Sequence, residues 1–178
     1  GRGTSIAWPP GVGFGERWIW IGSDTLISSH VTISAGMVPD QEMVTDPVVS
    51  IGDRCVIGRG TAIVGHLSID IGDDVYTGMN VYITDQNHGY EDIDQPIGTQ
   101  LPSDDPVSIG SGSWIGSGAV ILPGARIGTS STGISRAAAT LRIPLRLSRD
   151  TAGSSPRSTS LPPSATIIAS TPGLRLHS

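Results

Sequence analysis

Isoleucine recurs at every sixth position in four stretches of the chain, and a glycine most often follows it. Each stretch holds three such hexads, and the stretches begin at Ile21, Ile51, Ile71 and Ile109. With the partial hexad at the end included, the first position is isoleucine in 12 of 13 hexads, and Thr77 is the exception. A period of six does not match the 3.6-residue period of an α-helix. One short strand and one turn per hexad instead predict a three-sided coil that closes after every third hexad.

The coils predict an all-β fold in which residues one coil apart are neighbours in a parallel sheet, about 4.8 Å apart. Three ladders of inward side chains follow from the period. They comprise Ile21, Ile51, Ile71, Ile109 and Ile127; Ile27, Ile57, Thr77 and Ile115; and Ile33, Ile63, Ile83 and Ile121. Each buried isoleucine contributes roughly 1.5–3 kcal/mol, so the ladders can hold the fold with few aromatic residues. The glycine after each isoleucine relieves crowding at a corner or supplies a positive φ.

Three insertions interrupt the coils. They are residues 39–50, the pair formed by Ile69 and Asp70, and residues 89–108. Long loops in a compact domain usually either carry function or are disordered. We expect residues 39–50 to form a solvated bulge. The loop 89–108 is the better candidate for function, because it begins beside a histidine, His88.

The flanking segments differ from the coils. Residues 1–20 begin as a Gly- and Pro-rich stretch, which predicts a loop, and end in Trp18, Ile19 and Trp20, which we expect to cap the first coil. The hexads stop after residue 128, and residues 129–178 form an atypical tail rich in Ser, Thr, Arg and Pro. We interpret this tail as the product of a shifted reading frame, with a natural disordered segment as the alternative.

Composition narrows the classes of function. Residues 1–128 contain five arginines and 15 acidic residues, a net charge of −10, whereas the tail carries +5. This acidic balance argues against nucleic-acid binding. No apolar run of about 18 residues predicts a membrane span, and no basic and apolar leader predicts secretion, so we expect a cytoplasmic protein. The single cysteine, Cys55, excludes an internal disulfide and is expected to lie in the core.

The hexads, the loop that follows Asn87 and His88, and the segment SIGSGSWIGSGAVILPGARIG at residues 108–128 resemble the hexapeptide-repeat acyltransferases. The subgroup they resemble is the galactoside, maltose and colanic-acid O-acetyltransferases. The resemblance implies a left-handed parallel β-helix, a homotrimer, and acetyl-CoA bound between adjacent subunits as co-substrate. It implies no metal. The acceptor would be a hydroxyl of a sugar or a similar small molecule.

In that family the catalytic histidine stands eight residues after an asparagine, as His88 stands after Asn80. The resemblance therefore implies that His88 is the general base that deprotonates the acceptor hydroxyl, a role that suits imidazole. Asn87 occupies a hexad position where a small or apolar residue is usual, which indicates that the ladder ends there and the site begins. Asn80, Asp85, Asn87 and Tyr90 are the candidate acceptor-binding residues.

The same resemblance assigns residues to the cofactor. Trp114 matches the family tryptophan that lines the acyl site, and Ser117 and Gly118 match positions near the pantetheine arm. Extended backbone at a coil edge pairs with pantetheine amides as an added strand would. One position departs from the family: Gly58 stands where the sugar acetyltransferases carry an asparagine.

Two alternatives remain. The chain is a weak or inactive β-helix scaffold if the cofactor-binding coils that the family carries beyond residue 128 are lacking. A γ-type carbonic anhydrase shares the architecture, but it needs two histidines five residues apart and three converging zinc ligands. Here His66 and His88 are separated by more than three hexads, so they do not form such a pair. We expect His30 and His66 to be solvated at corners.

Overall fold

The computed structural model describes residues 1–132, and the tail predicted from residue 129 lies almost wholly outside this range. The described chain forms 17 short strands, numbered β1 to β17 in chain order, and two 3₁₀ turns at Glu16–Trp18 and Ile97–Thr99. Fifteen strands make three parallel five-stranded sheets, which we call A, B and C. The chain visits the sheets in the order C, A, B, so each coil is a three-sided turn.

Sheet A contains β1 (Ser5–Ile6), β4 (Leu26–Ile27), β7 (Val56–Ile57), β10 (Tyr76–Thr77) and β15 (Trp114–Ile115). Sheet B contains β2 (Gly13–Phe14), β5 (Thr32–Ala35), β8 (Ala62–Gly65), β11 (Tyr82–Thr84) and β16 (Val120–Ile121). Sheet C contains β3 (Ile19–Ile21), β6 (Val49–Ile51), β9 (Ile69–Ile71), β14 (Val107–Ile109) and β17 (Arg126–Ile127). The strands β12 (Gln86–Asn87) and β13 (Ser103–Asp104) form a separate antiparallel pair.

The three predicted ladders are confirmed. In sheet C, Ile51 pairs with Ile21 and Ile71, and Ile109 continues the row. In sheet B, Ile63 lies between Ile33 and Ile83. The stacked three-sided coils form a prism. Most of these isoleucines are completely buried, and the buried apolar residues form one core inside the prism. Burial of β-branched side chains in stacked rows is therefore what holds the coils together.

Each regular corner has two backbone features: close packing against the next coil and one residue with a positive φ. The sequence left these as alternative roles of the glycine after each isoleucine. Glycine at the second hexad position leaves room for the next coil, since a Cβ on Gly52 would lie 2.6 Å from the carbonyl carbon of Gly72. The positive φ belongs to the fourth position, where Asp24, Arg54 and Asp74 all lie between 54° and 56°. The regular spacing of six thus serves both packing and turning.

The N-terminal segment differs from the predicted loop. Strands β1 and β2 extend sheets A and B by a further partial coil, with Ile6 paired to Ile27 and Gly13 to Ile33. Trp18 is buried, as a capping residue should be. Trp20 does not cap the prism, because it points outward from sheet C and is 67% exposed.

The insertions also lie at slightly different residues than predicted. Ile69 and Asp70 are not inserted, because they pair within sheet C with Val49 and Ser50. From Ile21 onward, the corners from C to A and from A to B always hold four residues. All variation in length falls at the corner from B to C, whose connections are residues 36–48, 66–68, 85–106 and 122–125. We call these the C–A, A–B and B–C corners.

Candidate functional site

A hairpin leaves the prism at the B–C corner after β11. Strands β12 and β13 form its base, with Gln86 opposite Asp104 and Asn87 opposite Ser103. The side-chain amide of Gln86 donates a 2.9 Å hydrogen bond to a carboxylate oxygen of Asp104. His88 is the first residue after β12, so its position is set by a paired strand rather than by a free loop.

Beyond its base, the loop is tied together by its own side chains. The amide nitrogen of Gln100 donates to the carbonyl oxygens of Asp92 and Gln95, at 2.9 and 3.1 Å. The oxygen of the same amide accepts a 3.1 Å hydrogen bond from the backbone N–H of Asp92. Gly89 closes the neck of the loop, where a Cβ would lie 2.5 Å from the carbonyl oxygen of Leu101. These contacts give the loop a defined shape.

His88 lines a cavity of about 510 Å³ that is formed by the loop. Its backbone N–H donates a 3.0 Å hydrogen bond to the side-chain oxygen of Asn87, and its side chain is exposed. The cavity walls include Tyr90, Glu91 and Asp92 from one side of the loop. An accessible imidazole beside a polar cavity can remove a proton from a bound hydroxyl.

A second cavity of about 300 Å³ lies between the same hairpin and the last coil. Asn87 and Asp105 line it together with Arg126. Tyr90, Glu91 and Ser103 line both cavities. Of the candidate acceptor-binding residues, the structure therefore brings Asn87 and Tyr90 to the vicinity of His88.

Asp85, a candidate acceptor-binding residue from the sequence, is buried in the structure and engaged by the backbone. Its side chain is 0% exposed. Its carboxylate accepts hydrogen bonds from the backbone N–H groups of His66, Leu67 and Ser68, at 2.8, 2.8 and 2.6 Å. Charge-assisted hydrogen bonds of this kind are strong. Asp85 thus fixes the preceding connection of the B–C corner to the point where the hairpin begins.

Asn80 is also separated from His88 in this chain. It lies at the A–B corner, and strand β11 runs between that corner and the hairpin. Its φ is 56°, a left-handed conformation that asparagine tolerates well. Its backbone N–H donates a 2.9 Å hydrogen bond to the carbonyl oxygen of Arg59. The left-handed φ and the backbone hydrogen bond give Asn80 a structural role in the turn.

The candidate cofactor residues lie on sheet A and the A–B corner. Trp114 projects outward from β15 beside Tyr76, and the two side chains are 54% and 53% exposed. The hydroxyl oxygen of Ser117 accepts a 3.0 Å hydrogen bond from the N–H of Met79, and Ser111 does the same for Asp73 at the C–A corner. Gly118 turns with a φ of 70°. Within one chain, these residues lie on sheet A or at the A–B corner, whereas His88 lies at the B–C corner.

Gly58 marks a departure that the structure explains. An ideal Cβ built on this glycine would lie 2.5 Å from the carbonyl carbon of Gly78 in the next coil. Backbone atoms at that distance cannot give way as a flexible side chain can. The side chain that sugar acetyltransferases carry at this position therefore does not fit here without a shift of the coil.

Within residues 1–132, perturbed pKa values are found for one charged cluster and one thiol, all outside the hairpin. The Arg54 guanidinium donates two 2.8 Å hydrogen bonds to the Asp74 carboxylate and lowers the pKa of Asp74. Burial raises the pKa of the Cys55 thiol, which lies in the core as expected. These groups lie at the C–A corner and take no part in the cavity beside His88.

Sequence reasoning missed several residues of the cavities, among them Glu91, Asp92, Gln100, Ser103 and Asp105. Their only signal was membership of the long polar loop, which does not reveal the fold of that loop.

The two other histidines of the coils lie near the surface: His30 is exposed and His66 is partly exposed. Among residues 1–132, no three His, Cys, Asp or Glu side chains form a group that could hold a metal ion. No helix in the same residues is long and apolar enough to cross a membrane.

The chain is similar in sequence to proteins that carry the same repeat. A family model described as "Hexapeptide repeat of succinyl-transferase" matches residues 48–85 and 106–132, and the match breaks at the hairpin loop. The chain is 33% identical over 130 residues to the probable acetyltransferase Rv3034c of Mycobacterium tuberculosis. The chain therefore carries the hexapeptide repeat and is similar to hexapeptide-repeat acyltransferases. This hexapeptide-repeat chain is also 37% identical over 76 residues to Nodulation protein L of Rhizobium leguminosarum.

The two matches cover 72% and 43% of this hexapeptide-repeat chain. The chain spans about two fifths of the length of each relative, 38% and 39%. A crystal structure of a point mutant of AntD, described as an N-acyltransferase from Bacillus cereus in complex with dTDP and coenzyme A, is similar in fold. The TM-score is 0.53 at 16% identity, over 75% of this chain and 72% of that one. The predicted left-handed parallel β-helix is thereby confirmed.

Proposed function

We propose that this chain is an acyl-CoA-dependent O-acetyltransferase that transfers acetyl from acetyl-CoA to a hydroxyl of a sugar-like acceptor. The observation that carries the proposal is the exposed His88 in the wall of the cavity formed by the hairpin loop. The relative described as a probable acetyltransferase supports the choice of reaction. Acetyl is assigned on that support, and the hydroxyl acceptor on the resemblance to sugar acetyltransferases.

In the proposed mechanism, His88 removes the proton of the acceptor hydroxyl as that oxygen attacks the thioester carbonyl carbon. A new C–O bond forms, and the carbonyl oxygen becomes negatively charged. A backbone N–H group stabilises that oxyanion until the C–S bond breaks. The imidazolium then returns the proton to the departing CoA thiolate. No acyl-enzyme intermediate is needed.

We propose further that the site is completed between subunits of a homotrimer. Trp114, Ser117 and Gly118 lie near the A–B corner of a protomer, whereas His88 lies at the B–C corner. A neighbour that packs its sheet A beside the hairpin would bring Trp114 to the His88 of another subunit. The outer face of sheet A supports this packing, because Tyr76 and Trp114 form an exposed aromatic pair. Exposed apolar patches of this kind mark interaction surfaces.

The test uses matched histidine variants. His88→Asn removes the base from the cavity, whereas His30→Asn removes an exposed histidine from a turn of the first coil. We expect His88→Asn to lower acetyl transfer by about 100-fold or more while acetyl-CoA still binds, and His30→Asn to leave transfer unchanged. CoA release and the mass of the acceptor are the measurements. Transfer by His88→Asn within a few-fold of the unmodified chain would refute the role of His88.

Subunit mixing tests the shared site. Trimers assembled from His88→Asn and Trp114→Ala subunits contain sites with both original residues only if the two come from different chains. We expect the mixture to regain activity that neither variant has alone. Light scattering gives the oligomeric state. A trimer that binds no acetyl-CoA in calorimetric titration would support the scaffold alternative instead.

A further inference from the structure

We infer that Glu91 determines acceptor specificity, and that it selects an acceptor carrying a protonated amino group near the hydroxyl that is acetylated. This inference rests on the proposed function, and it names the class of acceptor more closely. An amino sugar or an amino alcohol fits this description, whereas a neutral or phosphorylated sugar does not.

The first observation is the position of Glu91. Glu91 is exposed and lines both the cavity beside His88 and the cavity beside Asn87 and Asp105. Tyr90 and Ser103 share that position. Among these three residues, only Glu91 carries a charge at neutral pH.

The second observation is that the carboxylate of Glu91 has no partner. Within residues 1–132, no hydrogen bond or ion pair engages it. Asp92 is different, because one of its carboxylate oxygens accepts a 3.0 Å hydrogen bond from the N–H of Asp94. Glu42, at another connection of the B–C corner, also differs, since it pairs with Arg17 at 3.4 Å. Glu91 is therefore available to a ligand.

The third observation is the charge of the cavity wall. The residues that line the His88 cavity include two carboxylates, Glu91 and Asp92, and no arginine. Arg126 lines only the second cavity. A wall of this kind attracts cations and repels phosphate and other anions. An ammonium group gains a charge-assisted hydrogen bond there.

The chemistry also determines which atom accepts the acetyl group. A carboxylate favours the protonated form of an amine, and a protonated amine has no lone pair with which to attack the thioester. The ammonium group would thus serve for recognition and keep its proton. The hydroxyl beside it loses its proton to His88 and forms the new C–O bond, and the CoA thiolate leaves with the proton that His88 returns. The product is an ester, not an amide.

The experiment compares a methyl hexopyranoside with the same compound carrying an amino group in place of one hydroxyl. We expect the chain to prefer the amino compound, and Glu91→Gln to lower kcat/KM for that compound by about fivefold to tenfold. Glu91→Gln should leave the neutral compound unaffected, and the matched control Glu42→Gln should affect neither. The preference should weaken as salt is added. Alkaline lability of the product identifies an ester.

Each other outcome counts against the inference. Equal use of the two compounds, an equal effect of Glu91→Gln on both, or an alkali-stable amide product would overturn the role of Glu91 while leaving the transferase intact. Absence of transfer to either compound by the unmodified chain, or transfer that does not depend on His88, would remove the proposed function and this inference with it.

Discussion

The corners of the prism divide into two kinds. At the C–A and A–B corners, every turn from Ile21 onward holds four residues and uses the same left-handed position, and most of these turns begin with a glycine. At the B–C corner the connections range from residues 66–68 to residues 85–106, and His88 lies on the longest of them. The fold is therefore specified at two corners, and the candidate base lies at the third.

The two kinds of corner also satisfy their backbone groups differently. At the C–A corner, single side chains serve single N–H groups, as Asp73 does for Asp53 and Ser111 does for Asp73. At the B–C corner, one buried carboxylate, that of Asp85, serves three N–H groups at once. Substitution should therefore cost more at Asp85 than at any one acceptor of the regular corners.

The largest expected loss of stability comes from the repeat itself. Ile63 is completely buried between Ile33 and Ile83, so Ile63→Ala leaves a cavity in the middle of a ladder. We expect the free energy of unfolding to fall by about 2–5 kcal/mol, measured by denaturant titration. Val120→Ala removes a side chain from the outer face of the same sheet and is the control. A similar loss in both variants would contradict the ladder as the source of stability.

The next effect distinguishes the two kinds of corner. Asp85→Asn replaces the carboxylate by an amide that cannot accept from all three N–H groups, so we expect a loss of about 1–3 kcal/mol. Asp105→Asn is the matched control, because no hydrogen bond to the Asp105 carboxylate is found within the described residues. Equal free energies of unfolding for the two variants would show that Asp85 does not fix the corner.

A smaller effect on stability is expected when the hairpin loop is shortened. Residues 90–99 are exposed, so a Gly-Ser turn in their place removes little buried surface. We expect the free energy of unfolding to change by less than about 1 kcal/mol, whereas acetyl transfer is lost with the cavity. Thermal unfolding and the transfer assay measure the two quantities. Cooperative unfolding that weakens as strongly as in Ile63→Ala would mean that the loop belongs to the folding unit.

The smallest effect belongs to the exposed pair of Arg54 and Asp74 at the C–A corner. The pKa of Asp74 is lowered by Arg54, so the charged carboxylate stabilises the fold above the ordinary aspartate pKa. That contribution is lost as pH falls through the lowered value. We expect Asp74→Asn to be slightly less stable than the unmodified chain at neutral pH, and the difference to vanish in acid. A difference that grows in acid would reverse the sign of the linkage.

The ladders were predictable because a hexad period is short, repeated and directly related to burial. The position of the left-handed turn was not, since both the second and the fourth hexad positions carry glycine in part of the chain. Gly52 and Gly112 illustrate the difference: the first makes room for a neighbouring coil, and the second has a φ of 72°. The two roles of glycine can be told apart only from the backbone of the stacked coils, not from the residue type.

The site was harder to predict than the fold. His88 was named because it precedes the long loop and because the resemblance to the acyltransferases implies a histidine eight residues after an asparagine; Tyr90 lies close to it along the chain. The structural role of Asp85 was not predictable, because a lone aspartate in a hexad gives no sign that three N–H groups converge on it. Glu91 was missed, since its position depends on how Gln100 folds the loop. Tertiary contacts of single side chains leave no period in a sequence.

The confinement of irregular lengths to one edge has a consequence for how such a protein can change. A gain or loss of residues at the B–C corner leaves the pairing of sheet C intact, as the rows through Val49, Ile69 and Val107 demonstrate. Insertions at that edge are therefore neutral for the scaffold, and selection can vary the loop freely. The same edge is the natural place to graft a foreign loop, and new substrate preferences could evolve there without any need to redesign the isoleucine ladders.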